Sequence, residues 1–411
     1  MKVLLIHNYY QEPGGEDVVY EQERQLLESH GHHVVTYQRT NSELRGYSGL
    51  QRLSLLKKAI WAGDVYREIL ELVRKESPDI AHVHNTLVQI SPSVFAACRA
   101  GGVPVVQTLH NFRLMCPAAT FFRDGRVCED CQVSSLWQGV RHACYRDSFT
   151  ATAAIALMLQ VHRLAGTWRK GVTGYIALTE FSKNKFLEAG IPAEKIHVKP
   201  NFVAPDPGAK ERAGDFAVYV GRLSPEKGLQ TLLRAWKELR APIPLRIVGD
   251  GPLRQELERM ASAFNLAEVT FLGHQTREAT QAIIKEARLL VFPSHYYENF
   301  PMTLVEAFSC GTPVICSRLG AMQEIVKDHV NGLHFRPGDT TDLAGAVEWA
   351  WGNPERMSAM EKAARRDYEL KYTAETNYAA LMAIYQHVIA LNHREVAGWV
   401  AAADQPQGSH S

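Results

Sequence analysis

Charge of either sign is nearly cancelled in this chain: its 411 residues carry 45 Lys+Arg against 44 Asp+Glu, a formal net charge of +1. Without a surplus there is no long-range field to gather nucleic acid, and no nucleic-acid partner is expected. Long apolar runs are missing too. The nearest, Ala151 to Val161, stops at His162 and Arg163, short of the roughly 18 apolar residues that argue for a membrane span. The opening MKVLLIHNYY offers only Val3 to Ile6 before His7 and Asn8, too little for the core of an export signal, so a cytoplasmic location is expected. Cysteine is sparse, with 7 in the whole chain, and without an export signal these read as reduced thiols rather than a disulfide framework. What remains, 46% hydrophobic and 22% charged residues, excludes disorder, collagen and coiled coil and describes a globular protein of two or three domains.

The rhythm that is present is strand, turn, helix. Val3–Ile6 is a short β-rich run followed by Pro13-Gly14-Gly15 and a helical stretch, Asp17–Ser29. Val34–Tyr37, Ile80–Val83 and Val103–Thr108 read as further strands and Asp64–Lys75 as a helix. Strands that alternate with helices make a parallel sheet. After the proline-rich KPNFVAPDPG (199–208) the rhythm restarts with Phe216–Val220, Leu245–Val248, Val269–Leu272, Leu289–Phe292 and Val314–Cys316. The expectation is an α/β chain of two doubly wound, Rossmann-like domains, residues 1–204 and 205–372, facing each other across an interdomain cleft. A C-terminal helix at 373–395 should turn back toward the first domain, and 402–411 should be a disordered tail. In open parallel sheets ligands bind outside the carboxyl ends of the strands. Here those ends carry Gly221-Arg222, Gly249-Asp250-Gly251, Gly273-His274 and Ser294-His295.

Two segments carry the sharpest chemistry. Gly221-Arg-Leu-Ser-Pro-Glu-Lys227-Gly228 lies between a strand and a helix, where unpaired helix amides and two cationic side chains suit an anion such as a diphosphate. The plain alternative is a βα turn with two solvated charges. Glu298 and Glu306, separated by seven residues, place one carboxylate in a loop and another on the following helix. Ionised carboxylates are acceptor-only and grip vicinal hydroxyls, although a glutamate early in a helix is often only complementing the macrodipole.

Together these segments resemble the donor half of family 4 of the retaining glycosyltransferases, enzymes of the GT-B fold. Pro13-Gly14-Gly15, His82-x-His84-Asn85, Thr108-Leu109-His110 and Pro200-Asn201 also fit that family, so the resemblance covers nearly the whole chain. It implies that Arg222 and Lys227 bind the diphosphate of a nucleotide-sugar donor, that Glu298 holds the transferred sugar, and that Glu306 holds the ribose. His110 would sit at the reacting face of the sugar, and Gly14 and Gly15 would bring amides to the diphosphate or acceptor. His274 would meet the nucleobase, and Met302 and Thr303 would offer helix N-terminal amides to phosphate. Pro301 stands where many members have glycine, and proline has no amide to donate. The implied reaction is transfer with retention to a hydroxyl of a carbohydrate or lipid-linked acceptor, in polysaccharide, glycolipid or glycoconjugate synthesis. Arg222, Lys227 and the helix amides would stabilise the leaving diphosphate without a catalytic metal, in keeping with a chain that has no Asp-x-Asp. The rival readings are an epimerase or phosphorylase of the same fold and an inactive nucleotide-sugar-binding partner.

Cys116, Cys128, Cys131 and Cys144 crowd into an insertion at 113–148 just after His110. A Cys-x-x-Cys flanked by two further cysteines is compatible with a structural zinc, with His142 as a substitute ligand; buried reduced thiols are the alternative. The insertion sits on the side where an acceptor would enter. Thr150–Leu164 is an apolar helix followed by Trp168, Arg169 and Lys170, which reads either as a core helix or as a peripheral contact with the inner face of a membrane.

Overall fold

A computed structural model describes residues 1–11, 14–44, 55, 57–212 and 214–403, the last ten of these as backbone only. Its first sheet contains β1 (Lys2–Tyr9), β2 (His33–Thr40), β3 (Ile80–Asn85) and β4 (Val105–Thr108). A separate antiparallel hairpin follows, β5 (Phe122–Arg123) and β6 (Arg126–Val127), before β7 (Gly174–Ala177) and β8 (Ile196–Val198) complete the sheet in the order β2-β1-β3-β4-β7-β8. The second sheet is built from β9 (Ala217–Val220), β10 (Leu245–Val248), β11 (Val269–Gly273), β12 (Leu289–Phe292), β13 (Val314–Ser317) and β14 (Gly332–Phe335), in the order β11-β10-β9-β12-β13-β14. All pairings inside both sheets are parallel.

The sequence explains why both faces are covered. Every residue of β3, β4, β7, β12 and β13 is buried, as in sheets whose crossover helices cover both sides. In each sheet the strand order reverses once, between β1 and β3 and between β9 and β12. At such a reversal the flanking helices leave on opposite faces and a crevice opens. The two domains therefore each offer one crevice at the carboxyl ends of their strands.

The helix Ala374–Ala403 returns to the first sheet and packs Leu381, Ile384, Tyr385 and Val388 on Val3, Leu5, Ile80, Val106 and Ile176. Contact is close enough that a Cβ on Gly174 would lie 2.6 Å from Val388 Cγ2, so β7 needs its glycine there. Ala402 and Ala403, expected in a disordered tail, continue this helix, in keeping with the high helix propensity of alanine. Residues 404–411 and Pro13 lie outside the described residues. Among the described residues no helix is long and apolar enough to cross a membrane.

Candidate functional site

Because β9 and β12 are neighbours at the reversal, the loops that follow them touch. The His295 amide donates to Glu226 O at 2.8 Å, and Thr231 Oγ1 lies 3.1 Å from His295 Nε2. Gly228, at φ 73°, closes the turn, and a Cβ there would be 2.0 Å from Pro293 O. Only glycine lets the loops approach this closely. Lys227 and Glu298 are brought together as a result: Lys227 Nζ donates to Glu298 Oε1 at 2.7 Å and to Tyr296 OH at 3.3 Å. Ser294 Oγ donates to Oε1 and Tyr296 OH to Oε2, each at 2.7 Å. A carboxylate has about four acceptor positions, and three are occupied here. Burial lowers the Lys227 pKa, but the Glu298 charge outweighs it and leaves the ammonium above its usual range. Burial, then Glu298, holds the Tyr296 phenol well above its own.

Arg222, Gly221, Gly249, Gly251 and His274 line a cleft of about 1400 Å³ whose opposite wall is Tyr10, Gln11, Gly14 and Arg146. A second hollow of about 340 Å³ adjoins it at Tyr10 and gathers Gly15, Glu16, His110, Asn111, Arg113, Tyr296, Glu298, Asn299 and Met302. Asn299 Nδ2 donates to Leu109 O at 2.7 Å and ties the two domains beside His110. The structure thus places Gly14, Arg222 and His274 on one cleft, and Gly15, His110, Glu298 and Met302 on the adjoining hollow. Lys227 stands behind Glu298. Thr303 and Glu306 line neither space; both lie on the helix Met302–Ser309, whose N-cap is Pro301. Burial raises the Glu306 pKa, partly offset by Arg277.

His110 rests on a buried polar cluster. Its Nε2 lies 3.0 Å from His84 Nδ1, and His84 Nε2 lies 3.1 Å from Glu23 Oε2. Lys199 Nζ donates to Glu23 Oε1 at 2.5 Å and to Asn377 Oδ1 at 3.1 Å. His82 is held by Tyr385 OH and Thr108 Oγ1, each at 2.7 Å. Burial first, then the neighbouring rings, lowers the pKa of His82 and of His110, and burial lowers that of His84. Sequence reasoning missed Glu16, Asn111, Arg113, Tyr296, Glu23 and Lys199, because no local motif marks them. His82 and His84, two apart on a strand, were visible, but their partners come from the helix Gly15–Ser29, the C-terminal helix and the end of β4.

The described set of three metal-type side chains with ligand atoms within 4.8 Å of one another is Glu23, His82 and His84. Its cation is already present as the Lys199 ammonium. Cys116 and Cys131 are buried and Cys128 and Cys144 half-buried. Burial pushes the Cys131 thiol up to about 12 and also raises Cys144. No three of the four sulfurs meet that 4.8 Å spacing, and each of Cys116, Cys128 and Cys144 is fixed by a backbone bond, to Phe112, Phe121 and Gly139. Zn–S bonds of about 2.3 Å in a tetrahedron require closer sulfurs. The zinc expectation therefore draws no support from their spacing.

Comparison with known proteins finds a family match in each half of the chain. A model described as Glycosyltransferase Family 4 matches residues 13–207, and one described as Glycosyl transferases group 1 matches residues 205–367. The chain is similar to O-antigen chain mannosyltransferase C of Escherichia coli, 33% identical over 179 residues, 43% of this chain and 48% of the relative. It is also similar to the alpha-D-kanosaminyltransferase of Streptomyces kanamyceticus, 26% identical over 362 residues, 84% of this chain and 86% of the relative. The chain spans about half the length of several curated relatives it matches. Among solved structures, HepE of Anabaena in complex with UDP aligns over 94% of this chain and 100% of its own, with a TM-score of 0.67 at 17% identity. The fold is GT-B, two parallel-sheet α/β domains around a cleft.

Proposed function

We propose that the chain is a retaining glycosyltransferase that moves a sugar from a nucleoside-diphosphate sugar to a hydroxyl acceptor in polysaccharide or glycoconjugate synthesis. The observation that carries this reading is the Lys227–Glu298 pair at the strand-order reversal, whose carboxylate side, Glu298, lines the same hollow of about 340 Å³ as His110. A cation and a hydroxyl-gripping carboxylate lie side by side where a diphosphate and a sugar would join.

Each residue then has a chemical task. Arg222, exposed on the wall of the larger cleft, meets the diphosphate, and Lys227 approaches it from the Glu298 side. As the glycosidic bond breaks, negative charge grows on the leaving phosphate, and preorganised cations with the Met302 and Thr303 amides stabilise it. Pro301 supplies no amide. Glu298, which already accepts from Lys227, Ser294 and Tyr296, accepts from sugar hydroxyls at its remaining lone pair. Glu306 is assigned to the ribose and His274 to the base. No carboxylate nucleophile is invoked; the leaving phosphate takes the acceptor proton on the same face of the sugar, which retains configuration, and catalysis needs no bound metal. UDP is the first nucleotide to try, since HepE was solved with it.

The acceptor enters on the side of the insertion at 113–148. The helix Phe149–Leu164 exposes Phe149, Leu157, Val161 and Leu164 near Arg169 and Lys170, and this face supports contact with a membrane that carries a lipid-linked acceptor at the cytoplasmic side. A thermal-shift screen over UDP-, GDP- and ADP-sugars tests the donor. A ligand at 100 times its Kd adds about 2.7 kcal/mol of stability. Product NMR tests the stereochemistry, with EDTA added to test metal independence. An inverted product contradicts the mechanism, and no shift with any nucleotide sugar contradicts the donor class.

A further inference from the structure

The buried cluster behind His110 specifies more than a fold. His84 is enclosed by Glu23 and Tyr20 from the helix Gly15–Ser29, by His7 of β1, by His82 of its own strand and by His110 after β4. Beyond Glu23 stand Lys199 and, through His82, Tyr385. Burial opposes a charge on Glu23, but Lys199 and the surrounding rings hold its pKa well below the usual range, on the carboxylate side. The three histidines are driven to their neutral forms by burial. A neutral imidazole has one N–H and one lone pair, so each contact in the chain decides the next.

The decision starts at Glu23. Its Oε1 is taken by Lys199, while Oε2 faces His84 Nε2 at 3.1 Å at an angle too bent for a hydrogen bond, and neither of these two atoms has any hydrogen-bond partner. A lone pair on Nε2 would face a carboxylate lone pair inside a region of low dielectric; a proton there is attracted instead. His84 therefore carries its proton on Nε2 and presents a lone pair at Nδ1. That lone pair lies 3.0 Å from His110 Nε2, which must then be the protonated nitrogen of His110. The nitrogen left for the hollow that His110 lines is a bare Nδ1.

We infer that Glu23 and His84 are positioning residues that fix His110 as the Nε2–H tautomer, so that its Nδ1 accepts a hydrogen bond from a hydroxyl of the transferred sugar or of the acceptor. This rests on the reading that the hollow receives the sugar. It narrows the role of His110: held this way, the ring receives a hydroxyl proton in a hydrogen bond and donates nothing to a phosphate oxygen.

The substitution Glu23→Gln makes the inference sharp. Lys199 would claim the amide oxygen, leaving the NH₂ group to donate to His84 Nε2. Every proton in the chain then moves over, His84 to Nδ1–H and His110 to Nδ1–H, and the acceptor facing the hollow becomes a donor. The experiment is long-range ¹H–¹⁵N NMR on full-length protein labelled at histidine, with His110→Gln identifying the His110 signals. The expected result is Nε2 protonation of His110 in the unaltered protein, Nδ1 protonation in Glu23→Gln, and a roughly ten- to hundredfold fall in transfer with little change in the affinity for free UDP. Nδ1 protonation or a charged His110 ring in the unaltered protein overturns the inference, as does an unchanged tautomer in a folded Glu23→Gln. If that variant does not fold, the tautomer in the unaltered protein decides alone. The tautomer needs no turnover to be read, so a protein with the expected tautomer and no transferase activity contradicts the proposed function and leaves the relay standing.

Discussion

The two crevices of this molecule arise from the same topological event and are furnished in opposite ways. In the C-terminal half the reversal between β9 and β12 carries ionised groups: Arg222 on the cleft wall, Lys227 and Glu298 as a partly buried pair 2.7 Å apart. In the N-terminal half the reversal between β1 and β3 is backed by neutral rings, His82, His84 and His110, with one buried ion pair, Glu23–Lys199, behind them. A half that meets a diphosphate needs charge at the surface of the cleft. A half that meets hydroxyls needs oriented donors and acceptors, and burial supplies orientation by forbidding alternatives.

This contrast sets where the molecule should break. The largest effect is expected from Lys227→Ala, which removes the cation beside the leaving group while Ser294 and Tyr296 still hold Glu298. Transfer should fall roughly 10²- to 10³-fold, with a melting temperature close to that of the parent; steady-state kinetics beside calorimetry measures both. Next comes Leu381→Ala. Leu381 is fully buried between the C-terminal helix and the first sheet, and deleting its methyl groups should cost about 2–5 kcal/mol. Denaturant titration gives the value, and hydrogen exchange should show the loss of protection concentrated in β1, β3, β4 and β7.

The pH response should also separate the halves. His82, His84 and His110 have depressed values in the fold, so the stability they lend is present above their unfolded value of about 6.5 and is lost as pH falls below it, by up to about 1.4 kcal/mol per pH unit for each ring that stays unprotonated. Lys227 is raised, so its contribution is present below about 10.5 and lost only as pH rises beyond. Burial also lowers the pKa of His295 and His334 in the second half, so hydrogen exchange at pH 7.5 and pH 5 should find both sheets loosened in acid, the first, with its cluster of three rings, more than the second. The smallest effect on stability belongs to the exposed helix face. Leu157→Glu with Leu164→Glu, where Leu164 is 80% exposed, should shift stability by no more than about 0.5 kcal/mol per site. Sedimentation with anionic vesicles should nevertheless lose the protein if that face touches lipid.

Much of the second half was legible in the sequence because its chemistry is local. Gly221–Gly228 is one turn, and Glu298 and Glu306 share one loop and helix, so residue types at short spacing already describe the site. Five of its six strands could be read as apolar runs. β14, Gly332-Leu-His-Phe, was missed because it starts at glycine and carries a histidine in only four residues. In the first half β7 (Gly174–Ala177) and β8 (Ile196–Val198) were missed for similar reasons: they are four and three residues long, too short for any period to show, and they are strands because β7 is buried between β4 and β8 and β8 pairs along its edge. The His110 support was illegible for a stronger reason. Glu23 and Lys199 are separated by 176 positions, and neither residue's neighbours in sequence hint that it is buried. The cysteine spacing brings the four thiols into one neighbourhood, where Cys116, Cys128 and Cys144 all act on Cys131, but no three of the sulfurs lie within 4.8 Å of one another.

The pairing of Lys227 with Glu298 as the place where diphosphate meets sugar is tested most directly by Glu298→Gln. This change keeps the size of the side chain and removes the charge that faces Lys227. Binding of free UDP, or of whichever nucleoside diphosphate the donor screen selects, should be measured by titration calorimetry beside the rate of sugar transfer in the same folded protein. The expected result is nucleotide affinity within a few-fold of the parent and transfer reduced by roughly 100-fold or more. Transfer near the parent rate, with the fold intact, would contradict the assignment of this carboxylate to the sugar.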